Sequence, residues 1–179
     1  KSTFVFLYLG RITQDKGITD LIEAFKKVES VHNSMLIFVG SIEDTYIAEL
    51  IKNNKNILYF FYSNKPEEWF SVADVLCLPS YREGFGNVVI EAASCGLPTL
   101  CSNIYGLKDA VIENKTGFFH KSGSINDIKK KIINIIENKN LLREYGFRAK
   151  KRVFKNFEQS RITKKFLEYI YFKLKKNVS

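Results

Sequence analysis

Two glutamates, Glu83 and Glu91, stand eight positions apart in the segment Ser80-Tyr-Arg-Glu-Gly-Phe-Gly-Asn-Val-Val-Ile-Glu-Ala-Ala, which passes from a Gly-rich turn into an apolar helix. A carboxylate inside the apolar run Val88–Cys95 needs a polar environment, so Glu91 is expected to face a ligand near the helix start. Asn87 reads as the N-cap, and Gly84 and Gly86 let the backbone come close to a bulky group. The free amides of such a helix start attract anions, phosphates above all. The plainer alternative is that Glu91 complements the helix dipole, worth about 0.3–1 kcal/mol, and that Glu83 is a solvated loop residue.

A second loop, Gly10-Arg-Ile-Thr-Gln-Asp-Lys-Gly17, carries the cations Arg11 and Lys16. It follows the apolar strand Phe4–Leu9 and precedes an amphipathic helix, Ile18–Val31, which puts it at the carboxyl end of a strand. Open α/β sheets bind ligands at that edge. Arg forks two hydrogen bonds onto a phosphate and Lys adds a mobile point charge, so the pair suits a diphosphate. Taken alone, two loop cations read equally well as solvated.

The elements that must hold these loops alternate along the chain. Apolar runs at Met35–Val39, Ile57–Phe61, Val75–Leu78, Thr99–Cys101 and Phe118–His120 read as buried strands. Thr45–Asn53, Pro66–Ala73 and Val88–Cys95 read as the helices between them. Pro66 suits a first helical position, and Glu67 and Glu68 favour the same helix start. The alternation predicts an α/β fold, a Rossmann-like doubly wound parallel sheet of about six strands. Three further helices, Ile125–Asn138, Leu141–Phe154 and Phe157–Lys175, close the chain. The expected division is a binding domain over residues 1–156 and a C-terminal helix over 157–179.

Gly10-Arg11 with Lys16-Gly17, then Glu83-Gly-Phe-Gly with Glu91, then Gly96-Leu-Pro98 and Gly117-Phe118, resembles the C-terminal half of family-4 retaining glycosyltransferases of the GT-B fold. The glutamate spacing is similar to that family's E-x7-E motif, and the likeness runs from about Phe4 to Phe157. The stretch Ser102–Gly117 looks most like bacterial enzymes that build lipid-linked surface or glycoprotein glycans. The resemblance implies that Gly10, Arg11 and Lys16 hold the diphosphate of a nucleotide-sugar donor. It implies that Gly84, Phe85, Gly86, Asn87 and Val88 offer amides to the donor, that Glu83 binds hydroxyls of the transferred sugar, and that Glu91 binds the ribose. Each carboxylate offers two acceptor oxygens to vicinal diols. Glu83, Arg11 and Lys16 would act in catalysis. The base would lie near Tyr62 to Lys65, and UDP is the expected nucleotide because it is usual in the subgroup resembled. Transfer would retain configuration without a protein nucleophile, so the two glutamates are not expected to form a hydrolase acid/base pair. With no Asp-x-Asp present, neither metal nor cofactor is expected. An alternative is a nucleotide-sugar-binding module without transferase activity.

Composition bounds the remaining classes. With 45% hydrophobic residues among 179, the chain can bury one substantial α/β core. Cys77, Cys95 and Cys101 lack Cys-x-x-Cys spacing and read as reduced core residues. His32 and His120 belong to no Ser/His/Asp or metal pattern and read as surface or loop residues. The absence of an initiator Met and the early first strand suggest a piece of a longer protein, whose N-terminal acceptor domain would complete the site. The fragment is then expected to bind donor without catalysing transfer. The chain has no signal-peptide pattern and no run of 18 apolar residues. A cytoplasmic location is therefore expected, either free or peripheral at the inner face of the membrane. The net charge of +9 gathers in the last third, where Lys129–Lys131, Arg148, Lys150, Lys151, Arg152, Lys155, Lys164, Lys165, Lys173, Lys175 and Lys176 crowd the helices. Such a face is either solvated or meets an anionic membrane. Nucleic acid is not an expected partner, because no stacking platform of aromatics interleaves these cations.

Overall fold

The computed structural model describes residues 3–176. Six parallel strands form one sheet: β1 (Phe4–Leu9), β2 (Ser34–Val39), β3 (Ile57–Phe60), β4 (Val75–Leu78), β5 (Thr99–Ser102) and β6 (Gly117–His120). Their order is β3-β2-β1-β4-β5-β6, so the chain reverses its direction of progress between β1 and β4. The register is set by Phe6 opposite Leu36 on one side and Val75 on the other. Strands covered on both faces read as continuous apolar runs, and β1, with Phe6, Leu7 and Tyr8 fully buried, shows why.

Helices α1 (Ile18–Lys26), α2 (Thr45–Lys52), α3 (Pro66–Val72), α4 (Asn87–Ser94) and α5 (Tyr105–Lys108) connect the strands, and α6 (Ile125–Glu137), α7 (Asn140–Asn156) and α8 (Gln159–Lys176) follow. In α1, Ile18, Leu21, Ile22 and Phe25 recur at helical spacing and are buried to 1% exposure or less. Each such side chain contributes about 1.5–3 kcal/mol. Asp44 caps α2 by accepting from the amides of Tyr46 and Ile47, and Ser124 caps α6 by accepting from that of Asp127. Pro66 occupies the start of α3, followed by Glu67 and Glu68 in its first turn. Residues Ile162 to Leu174 of α8 carry exposed apolar side chains, including Phe166, Tyr169, Tyr171 and Phe172. No described helix is long and apolar enough to cross a membrane.

Several expectations are corrected. α1 ends at Lys26 and continues as turns to Val31. β3 is one edge of the sheet: only Ile57 is buried, while Leu58, Tyr59 and Phe60 are exposed. Cys77 and Cys101 are core residues, but Cys95 is exposed because it is the C-cap of α4, where the apolar face has already ended. His120 is not a surface residue: it is 2% exposed, at the carboxyl end of β6. The short helix α5 has no apolar period of its own and escapes prediction.

Candidate functional site

The carboxyl ends of β1 and β4 diverge at the point where strand order reverses, which is where doubly wound sheets leave a crevice. A cavity of about 420 Å³ occupies it, lined by Tyr8, Leu9, Gly10, Arg11, Lys16, Leu78, Glu83, Phe85, Gly86, Asn87, Val88 and Glu91. Nine of the ten residues expected at a binding site thus share one cavity; Gly84 stands outside its lining. A smaller, more apolar cavity of about 260 Å³ adjoins it through Leu9, Gly10 and Arg11 and is closed by Val39, Gly40, Ser41, Tyr62 and Ser63. Of the segment Tyr62 to Lys65, only the first two residues reach it. Lys65 instead pairs with Glu68 at 3.0 Å.

The local backbone explains the shape. Asn87 is not the N-cap of α4. That position is Gly86, at φ 70° and ψ 60°, and Asn87 is the first helical residue, with no side-chain cap. A left-handed cap selects glycine over asparagine here because an added Cβ would lie 2.5 Å from Leu107 Cδ2. The amide of Val89 bonds the Gly86 carbonyl at 2.9 Å, while those of Asn87 and Val88 have no partner among the described residues. Two free donors at the positive end of a helix make a site for an anion.

Charge is arranged around that point in graded exposure. Lys16 Nζ lies 2.7 Å from Glu83 Oε1, both side chains being less than one-fifth exposed. The buried Ser80 hydroxyl donates to the same carboxylate oxygen at 3.1 Å. Arg11 is exposed and held only loosely by Glu43, at 3.9 Å. The carboxylate of Glu91 lines the cavity and accepts no hydrogen bond from described residues, which leaves it free for a ligand. Beneath the loop, Tyr8 donates to the Arg11 carbonyl at 2.6 Å and fixes the turn after β1. Burial, then the nearby charge of Glu83, holds its phenol far above the usual range, so it remains a donor. No group of three or more His, Cys, Asp or Glu residues placed to hold a metal occurs among the described residues.

Sequence reasoning missed the groups that brace the loop from behind. Gly106 of α5 presses its backbone against the carbonyls of Glu83 and Gly84. Phe85 stacks at 5.4 Å on Phe157, and the guanidinium of Arg152 lies 4.9 Å over Phe157. Arg152 also donates to the carbonyls of Asp109 and Ala110, at 2.6 and 3.2 Å. One arginine therefore ties the end of α5 to the ring that walls the Glu83 loop. Arg152→Met keeps the stem and removes both bonds and the cation. It is expected to cost about 1–2 kcal/mol, a fall in Tm of roughly 3–6 °C for a domain of this size, readable by thermal melting.

Residues 1–152 match the family described as glycosyl transferases group 1. Among curated relatives, the capsular polysaccharide biosynthesis glycosyltransferase CapM of Staphylococcus aureus is 35% identical over 174 residues, covering 94% of this chain and 46% of CapM. Among solved structures, a glycosyltransferase from Rickettsia africae superposes with a TM-score of 0.87 at 25% identity, over 99% of this chain and 49% of that one. HepE of Anabaena, solved with UDP-glucose, has a TM-score of 0.85 at 21% identity, over 95% of this chain and 49% of HepE, a likeness of fold. The chain spans about half the length of the curated relatives it matches, 46% of each of the first two. Matched over residues 1–152 of its 179, the chain belongs to the glycosyl transferases group 1 family.

Proposed function

We propose that this chain is the donor-binding half of a retaining glycosyltransferase. The enzyme takes a hexose or N-acetylhexosamine from a UDP-sugar and passes it to a glycan or lipid-linked acceptor. One observation carries the reading. Two cations, two unpaired helix amides, a free carboxylate and a paired one converge on a single cavity at the switch point. Hydrolases also use two carboxylates, but here Glu83 is already paired with Lys16, and Glu91 lies a full turn into α4.

The diphosphate sits on the amides of Asn87 and Val88, between Arg11 and Lys16. The ribose diol meets Glu91, and the base enters the adjoining apolar cavity at Tyr62 and Ser63. The transferred sugar lies over Glu83, which accepts from its hydroxyls. In the reaction the bond between the anomeric carbon and the diphosphate oxygen breaks. The acceptor oxygen bonds to that carbon on the same face, and its proton passes to the departing phosphate. Negative charge grows on the leaving group, and fixed donors facing such charge are worth about 3–4 kcal/mol each when well aimed. Arg11 and Lys16 do this without a metal ion. The second half of the enzyme supplies the rest of the acceptor site and covers the apolar side of α8.

Calorimetry with UDP, GDP and ADP tests the reading. Selective one-to-one binding of UDP supports it, and a folded chain that binds none of the three refutes it. A distinctive consequence follows from the Lys16–Glu83 pair. Glu83→Gln frees Lys16 for phosphate, so UDP affinity is expected to hold or rise up to about fivefold. Sugar transfer by the full-length enzyme is expected to fall more than about tenfold, as read by a product assay.

A further inference from the structure

A second cavity, of about 860 Å³, opens along the same edge of the sheet, at the ends of β5 and β6. Its volume lies within the range of roughly 300–1,000 Å³ usual for ligand sites. The turn that carries its lining residue Ser122 reaches toward the Glu83 loop. A Cβ added at Gly123, in the turn after β6, would lie 3.9 Å from the Tyr81 ring, and Tyr81 donates to Asp20 at 2.8 Å. Neither the sequence motifs nor the donor account uses this cavity.

Its lining is chemically mixed in a specific way. Glu113 accepts from the Phe119 amide at 2.6 Å and from Lys131 at 3.0 Å. Asp127 accepts from the Lys121 amide at 2.6 Å. Both carboxylates are thus held in place by backbone. His120, 2% exposed, lines the cavity with Nδ1 3.0 Å from the Lys121 carbonyl. A carbonyl only accepts, so Nδ1 carries the proton and Nε2 presents a lone pair. No protein donor meets Nε2 among the described residues. Burial lowers the imidazole's affinity for a second proton, which keeps the ring neutral. Asn103, just past the end of β5, adds an amide side chain to the lining. Phe119 adds a half-buried ring, and Lys108 and Lys121 add exposed donors.

Acceptors, donors and an aromatic face in one cavity match a polyhydroxylated ring, whose hydroxyls both give and take hydrogen bonds. A bare phosphate fits less well. It would find Lys108, Lys121 and Lys131, but it would also meet Glu113, Asp127 and the Nε2 lone pair, which repel an anion. We infer that this cavity is an acceptor subsite on the donor half, binding a sugar residue of the glycan being extended, with His120 Nε2 accepting from one of its hydroxyls. The inference rests on the donor reading above, because the cavity matters for transfer only if the sugar donor lies beyond Tyr81.

The test is an amide NMR titration of the isotopically labelled chain, saturated with UDP, using chitobiose, maltose and cellobiose in turn and inorganic phosphate separately. At least one disaccharide is expected to shift the amides of Asn103 and of residues 119–122. His120→Gln and Ser122→Trp, the second a filling change on a turn, should each weaken that binding about fivefold or more while UDP affinity stays within about twofold. The inference is overturned if only phosphate moves these amides, if no disaccharide does, or if both variants bind sugar as well as the parent. UDP affinity measured in the same samples separates the two readings. Intact UDP binding without sugar binding removes the acceptor subsite alone, whereas absent UDP binding removes the donor reading as well.

Discussion

Gly106→Ala is expected to lower stability by about 2–3 kcal/mol, and with it the melting temperature by roughly 5–10 °C. The new Cβ would stand 1.9 Å from the Glu83 carbonyl oxygen and 2.7 Å from that of Gly84. Both obstacles are backbone, so neither can rotate aside, and either α5 or the Glu83 loop must move. The same displacement carries the loop that leads into α4 and shifts the amides of Asn87 and Val88 that seat the diphosphate. UDP affinity is therefore expected to fall by about tenfold or more, since a misplacement near 1 Å is costly in a preorganised site. Gly84→Ala is the control. A Cβ there meets nothing within 4 Å, and the change should stay within about 0.5 kcal/mol. Equal melting temperatures for the two variants would show that α5 does not brace the loop.

Glu91→Ala separates binding from folding most cleanly. Its side chain is exposed and accepts nothing from the described residues, so the substitution should change stability by no more than about 0.5 kcal/mol. Two charge-assisted bonds to the ribose diol would be lost, and UDP affinity is expected to fall by about 10- to 100-fold. Pyrophosphate, which has no ribose, should bind the variant as tightly as the parent. Calorimetry with both ligands decides the matter: equal losses for the two would place Glu91 on the diphosphate instead.

The motif residues were legible because their types are conspicuous in their surroundings. Arg11 and Lys16 are cations between an apolar strand and an amphipathic helix, and Glu91 interrupts an apolar run. The sheet was legible too, since continuous apolar runs with helices between them leave few alternatives to parallel strands. Less visible were features set by tertiary approach. Gly106 looks like any loop glycine until α5 is laid against the Glu83 carbonyl. Phe157 reads as the first residue of the last helix until it meets Phe85 and Arg152. Side-chain preference favours Asn87 as the N-cap of α4, but backbone geometry prevails, and Gly86 takes the left-handed position. His120 reads as a surface residue at a strand end, yet its place in β6, paired with β5, buries it. β3 fails differently: an apolar run signals a strand and does not reveal that the strand is an edge with three exposed side chains.

A crystal structure of this chain with UDP tests the central claim most directly. The account predicts the diphosphate within hydrogen-bond distance of Arg11, Lys16 and the amides of Asn87 and Val88, the ribose on Glu91, and the base beside Tyr62 and Ser63. A nucleotide bound elsewhere, or one seated in this cavity with its phosphates turned away from the start of α4, would contradict it.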